Sequence, residues 1–163
     1  MLHVIGLSPA NQERLAPLRA ELRLRFDLQD SRSAGYFTLL AEVFEPFAHR
    51  DSGQSLFSIN TLVVLKGTDL RDAMQLLSES EERISSFPRA WREYVGEVWP
   101  ARDQLSIRIE PLLFRRRALQ IIGRLRLLME QAQQSGDLLA FGNGVTYRTL
   151  CGIPSPPGTV VYS

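Results

Sequence analysis

The stretch 111–134 constrains this chain more than any other part of it. It opens on Pro111, contains no second proline, and sets apolar residues three or four apart throughout. That spacing marks the face of an α-helix, so one long central helix is expected near 111–134. Stepping ~100° per residue from Phe114 gathers Phe114, Ala118, Ile121, Ile122, Leu125, Leu128, Met129 and Ala132 on one side. This is an ordinary core stripe. Leu119, Gly123 and Leu127 fall on the opposite side at i, i+4 and i+8, where a surface helix is normally polar. Arg116, Arg124 and Arg126 flank this second stripe, with Arg117 close by.

Two arrangements fit a helix that is apolar on two sides. In one, another element of the same chain covers Leu119 and Leu127. In the other, the strip stays open and docks another protein or a second copy of the chain. Gly123 would then let a foreign backbone approach closely, and Arg116, Arg124 and Arg126 would form the rim. A charged rim around an apolar centre is the usual anatomy of an interface. Complete enclosure of Leu119 and Leu127 by their own chain would remove the docking reading.

The remaining elements are a mixture. Residues 2–7 have strand composition. Ser8 and Pro9 suit the N-cap and first position of a helix, and Leu15, Leu18, Leu22 and Phe26 continue it at spacings of three or four, with a kink at Pro17. A loop is expected over 27–35. A second helix is expected over 36–47, with Phe37, Leu40, Ala41, Phe44 and Ala48 on one face and Pro46 fraying its end. Residues 49–55 read as a turn. The run 56–65, with Val63 and Val64 before Gly67, reads as a buried strand. Thr68 is expected to cap a third helix with a buried stripe of Leu70, Ala73, Met74 and Leu77. Phe87, Trp91, Tyr94, Val95 and Val98 predict a fourth helix over 87–98.

Residues 105–110 alternate apolar and polar, the pattern of a half-buried strand. Gly142-Asn143-Gly144 between 138–141 and 145–150 is the turn chemistry of a tight C-terminal β-hairpin, and 159–162 suits an edge strand. Strands and helices do not alternate regularly. The expected fold class is therefore α+β: a small, mostly antiparallel sheet packed against several helices. A length of 163 residues fits a single globular domain over 1–163.

Composition excludes more than it assigns. The sole cysteine, Cys151, rules out an internal disulfide framework and a multi-cysteine zinc site. No apolar run approaches the ~20 residues that span a bilayer, and the N-terminus lacks the basic and apolar regions of a secretory leader. A cytoplasmic protein without membrane contact is expected. Arginine outnumbers lysine 18 to 1, the usage of a GC-rich bacterial genome. Residues 1–82 hold eight basic and twelve acidic side chains, whereas 83–163 hold eleven basic and six acidic. Such asymmetry steers a partner or draws two halves of one fold together.

Chemistry is sparse. Catalysis by histidine or cysteine needs those groups side by side, but His3 alternates with apolar neighbours and His49 follows the proline-frayed helix end. The tripeptide His49-Arg50-Asp51 matches part of a kinase catalytic loop, but the asparagine, the DFG motif and the glycine-rich loop are missing. Gly142 and Gly144 begin a dinucleotide-like pattern, but Tyr147 stands where its third glycine belongs. The pairs Glu42 and Glu45, Glu79 and Glu82, and Glu93 and Glu97 read as solvated helix surface rather than acid–base couples. No catalytic residue, cofactor or metal is expected.

The leading expectation is a non-catalytic protein-binding module, such as an adaptor, an assembly factor or a toxin-neutralising immunity protein. It would dock through Leu119, Gly123 and Leu127 within the rim of Arg116, Arg124 and Arg126. A second expectation is nucleic-acid binding through 102–126, with Arg108, Arg115, Arg116 and Arg117 on phosphates. A third is a small enzyme or ligand binder in which Cys151, His49 and Tyr147 converge only in three dimensions.

Overall fold

The computed structural model describes residues 2–8, 23–27, 30–53, 55, 62–98, 105–136 and 138–143. Its main sheet is antiparallel, with strands in the order 23–27, 2–8, 138–143 and 62–65. The strands are β1 (Leu2–Ser8), β2 (Arg23–Asp27), β3 (Leu62–Leu65) and β8 (Leu138–Asn143). Val63 faces Phe141 and Leu65 faces Leu139 across the β3–β8 pair. All of these are buried, whereas Val64 is only half-buried. One face of β3 therefore meets the core, as period-2 alternation requires.

Among the described residues three helices pack with this sheet: α1 (Ser31–Ser52), α2 (Thr68–Ser85) and α3 (Arg115–Ser135). The α+β expectation is met: antiparallel strands pack against helices, and the long helix lies near 111–134. An aromatic stack joins α1 to the sheet. The Phe44 and Phe141 rings stack with centroids 3.9 Å apart, Phe37 stacks on Phe141 at 5.5 Å, and Phe26 meets Phe37 edge-on at 5.7 Å. Each such pair adds about 0.5–1.5 kcal/mol beyond the area it buries. On α3 the buried residues are Ala118, Ile121, Ile122, Leu125, Leu128, Met129 and Ala132, the stripe expected from periodicity.

Several expectations are corrected. The helix expected through Phe26 gives way to β2 over its last turn, because Arg23-Leu24-Arg25-Phe26-Asp27 alternates with period 2 and pairs with β1. The expected loop over 27–35 already contains the start of α1. Its N-cap is Asp30, whose carboxylate accepts the Ser33 N–H at 2.8 Å. That helix does not end at Pro46 but runs to Ser52, where Gly53 closes it at φ 66° with its N–H on the His49 carbonyl. An interior proline costs ~3 kcal/mol. Burial of Phe47 and Ala48 in the next turn offsets it. Thr68 is the first residue of α2 rather than its cap, which is Gly67 without a side-chain hydrogen bond.

The largest correction falls on 87–98. No helix forms there. Instead β4 (Ala90–Arg92) pairs with β7 (Leu112–Phe114), and β5 (Gly96–Val98) with β6 (Ile107–Ile109). The Glu93 N–H on the Pro111 carbonyl and the Val95 N–H on the Ile109 carbonyl join the two pairs into one ribbon. Between Arg92↔Leu112 and Gly96↔Ile109 the register slips by one residue, so that Val95 and Gly96 both stand opposite Ile109 in a bulge. Phe87 and Trp91, read as a helical pair, do touch, edge to face at 4.9 Å.

The ribbon leads straight into α3, so the long helix begins at Arg115 and not at Pro111. Phe114 belongs to β7 and is 41% exposed, outside the core stripe. At the ribbon's base a Cβ on Gly35 would meet Leu113 side-chain carbons at 3.0–3.1 Å, so glycine lets α1 approach β7 closely. The Phe114 N–H donates to the Tyr36 hydroxyl at 3.0 Å. Of the expected C-terminal hairpin, the first arm is β8, with β1 on one edge and β3 on the other. The second arm, 145–150, and the expected edge strand 159–162 lie outside the described residues.

Candidate docking surface

The second stripe of α3 is open in a graded way. Leu119 is half-buried and packs against the core. One turn on, a Cβ at Gly123 would meet nothing within 4 Å. A further turn on, Leu127 is 60% exposed. The chain therefore covers the start of the strip and leaves its far end free.

The three rim arginines have different surroundings. Arg126 donates to the Ser78 hydroxyl at 3.2 Å and pairs with Glu81, so it ties α3 to α2 and is spent within the chain. Arg124 and Arg116 are exposed. Of the arginines expected on phosphates, Arg108 is engaged by Glu110 at 2.8 Å and lies over the Tyr94 ring at 4.8 Å. Arg115 turns its guanidinium onto the Phe87 carbonyl at 2.6 Å and the Ser85 carbonyl at 3.4 Å. Arg116 and Arg117 remain at the surface.

The ribbon adds apolar surface that periodicity concealed. Among the described residues the exposed large hydrophobics are Tyr94, Val98, Leu105, Ile107, Leu112, Phe114 and Leu127. Every one lies between positions 94 and 127. Read as helix, Tyr94 and Val98 looked like core, as did Phe114 on the wheel. The alternation in 105–110, expected to mark a half-buried strand, is corrected: the strand is only Ile107–Ile109, and Leu105 and Ile107 face outward.

A shallow bowl of about 470 Å³ opens where ribbon and helix join, lined by Arg89, Arg115, Arg116, Leu119 and Gln120. Among the described residues no carboxylate lines it. The sequence pattern did not place Arg89 there, because Arg89 arrives through the β4–β7 pairing, with its carbonyl accepting the Arg115 N–H at 3.1 Å.

Several acidic groups have partners other than another acid. Glu42 meets Arg83 at 2.5 Å, Glu79 accepts from the Gln75 amide at 3.1 Å, and Glu93 accepts from the Trp91 indole at 2.8 Å. Arg50 forms a bidentate bridge to Asp69 at 2.9 and 3.0 Å. That hydrogen-bonded guanidinium holds the Asp69 carboxyl below its ordinary value of 3.8. Among the described residues no three His, Cys, Asp or Glu side chains gather where a metal could bind, and no helix is long and apolar enough to cross a membrane. His49 is exposed in the last turn of α1. Cys151 and Tyr147 lie outside the described residues. Comparison with protein-family models, curated proteins and solved structures gives no match for this chain.

Proposed function

We propose that the chain is a protein-binding module whose partner presents an acidic surface with apolar side chains. The observation that carries this is Leu127, 60% exposed on an arginine-rich helix, together with the exposed apolar side chains of the ribbon that leads into that helix. Exposed apolar residues are common singly, but a concentration of them marks an interaction surface. The docking strip is Leu119, Gly123 and Leu127, with Arg116 and Arg124 at its rim.

Charge selects the partner. α3 carries five arginines and a single acid, Glu130. Two copies meeting through this face would oppose like charges, which costs several kcal/mol of specificity, roughly. An acidic partner reverses that sign. Adaptors, assembly factors and toxin-neutralising proteins all work by docking of this kind, and a cytoplasmic setting is consistent with a lone cysteine.

Leu127→Glu is the test, because Leu127 is exposed and its replacement leaves the core intact. Leu119 packs on the core and is a poor choice. The wild-type chain should co-purify with one defined, acidic protein, and Leu127→Glu should lose that complex with its thermal midpoint unchanged. A complex indifferent to Leu127→Glu, or a wild-type chain that binds no protein, removes the reading.

A further inference from the structure

We infer that the bowl between ribbon and α3 is an anchor site for acidic side chains of an apolar peptide segment. It is lined by the guanidinium-bearing residues Arg89, Arg115 and Arg116, with Leu119 and Gln120 completing the wall. This deepens the docking reading, on which it rests, by naming the chemistry that one part of the surface takes.

The charge arrangement is the first argument. Arg115, Arg116 and Arg117 are the first three residues of α3, and the first turn holds no acid. Cations at a helix start are unfavourable, because the dipole's positive end is already there. Arg89 joins them from β4's side, and among the described residues no ion pair relieves Arg89, Arg116 or Arg117. Among the described residues these like charges have no ion-paired counter-charge. A local rule broken without internal compensation is expected at a functional site.

Preorganisation is the second argument. The Arg115 guanidinium is fixed by the Phe87 carbonyl at 2.6 Å. The backbone is fixed too, because the Phe114 N–H is taken by Tyr36 and the Arg115 N–H by the Arg89 carbonyl. The guanidiniums that line the bowl have planar forks that match carboxylates.

The apolar surroundings decide between carboxylate and phosphate backbone. Leu119 lines the bowl, and Leu112 and Phe114 are exposed on the strand that runs into it. A nucleic-acid backbone needs a continuous positive track, yet Arg108 is already paired with Glu110. An acidic residue flanked by apolar ones satisfies both the guanidiniums and the leucines.

The test uses fluorescence anisotropy with a labelled, end-blocked peptide of glutamate and leucine, the same peptide with glutamine, and a single-stranded RNA of similar length. The glutamate peptide should bind, and its affinity should fall as salt rises. Arg89→Ala with Arg116→Ala should weaken binding about tenfold or more, whereas Arg117→Ala, which removes a charge from the same turn but outside the bowl, should change it less than about threefold. Arg89→Glu with Arg116→Glu should instead bind a lysine and leucine peptide. Equal losses from Arg117→Ala, equal binding of the glutamine peptide, no binding of the glutamate peptide, or tighter binding of the RNA through the same arginines each overturns the proposal. The two readings separate cleanly. Leu127→Glu leaves the bowl and its peptide untouched, so native complexes insensitive to Leu127→Glu sink the docking strip alone. Peptide binding insensitive to the bowl arginines sinks the anchor alone.

Discussion

Arg126 shows how much a single side chain's role depends on residues far along the chain. On a helical wheel it borders Leu127 and reads as a rim cation. Its acceptor Glu81 stands 45 positions earlier, and nothing local announces that pairing. Leu127 was half legible: its angle on α3 set it opposite the core stripe, but only the fold shows that it stays open while Leu119 on the same stripe is half-buried. The Arg50–Asp69 bridge also spans distant positions, joining the end of α1 to the start of α2. Its folded carboxyl titrates below the unfolded one. The bridge's contribution is therefore complete above the ordinary value of 3.8 and is lost as pH falls through the lowered folded value. Arg50 is half exposed, so solvent screening keeps the contribution to about 0.5 kcal/mol. Asp69→Asn should lower the unfolding free energy by that amount at neutral pH and leave it unchanged in strong acid, as parallel urea denaturation curves will show.

Among the elements, α3 was the easiest to read and the ribbon the hardest. A helix of 21 residues repeats its period often enough that no strand pattern imitates it. The ribbon strands are only three residues each, and Phe87, Trp91, Tyr94 and Val98 happen to fall at helical steps. What makes them strands is their partner, 107–114, which a local period cannot reveal. Strand β2 was missed in the same way, with Phe26 completing an apparent helical stripe while β1 supplied the pairing. Gly123 is the weak point of the legible helix. A glycine inside a helix costs about 0.5–1 kcal/mol relative to alanine, and here an added methyl meets nothing within 4 Å. Gly123→Ala should raise stability by that amount in chemical denaturation. If the partner's backbone approaches at this position, the same change should weaken the native complex, separating stability from docking.

For the molecule as a whole, the fold class followed from mixed strand and helix periods, but the order of strands did not. The sheet places β8 between β1 and β3, and the stacked rings of Phe37, Phe44 and Phe141 fasten α1 onto that middle strand. Phe141→Ala should therefore cost about 3–5 kcal/mol, comparable with the whole stability of a small domain, and its thermal transition should be lost or displaced far below the wild-type one. The separation of charge between the two halves has a clearer meaning once pairs such as Arg126 with Glu81 are seen. Part of it draws α3 onto α2, and the remainder faces outward around the bowl.

The position of β8 also sets the timetable of assembly. It is the last of the described strands to leave the ribosome, and among them β3 has no other neighbour in the sheet. Until residues 138–143 emerge, Val63 and Leu65 have no strand beside them, and the aromatic stack lacks its middle ring. A nascent chain halted before that point holds its helices without the surface they are built to cover, which is the condition under which holdase chaperones find a client.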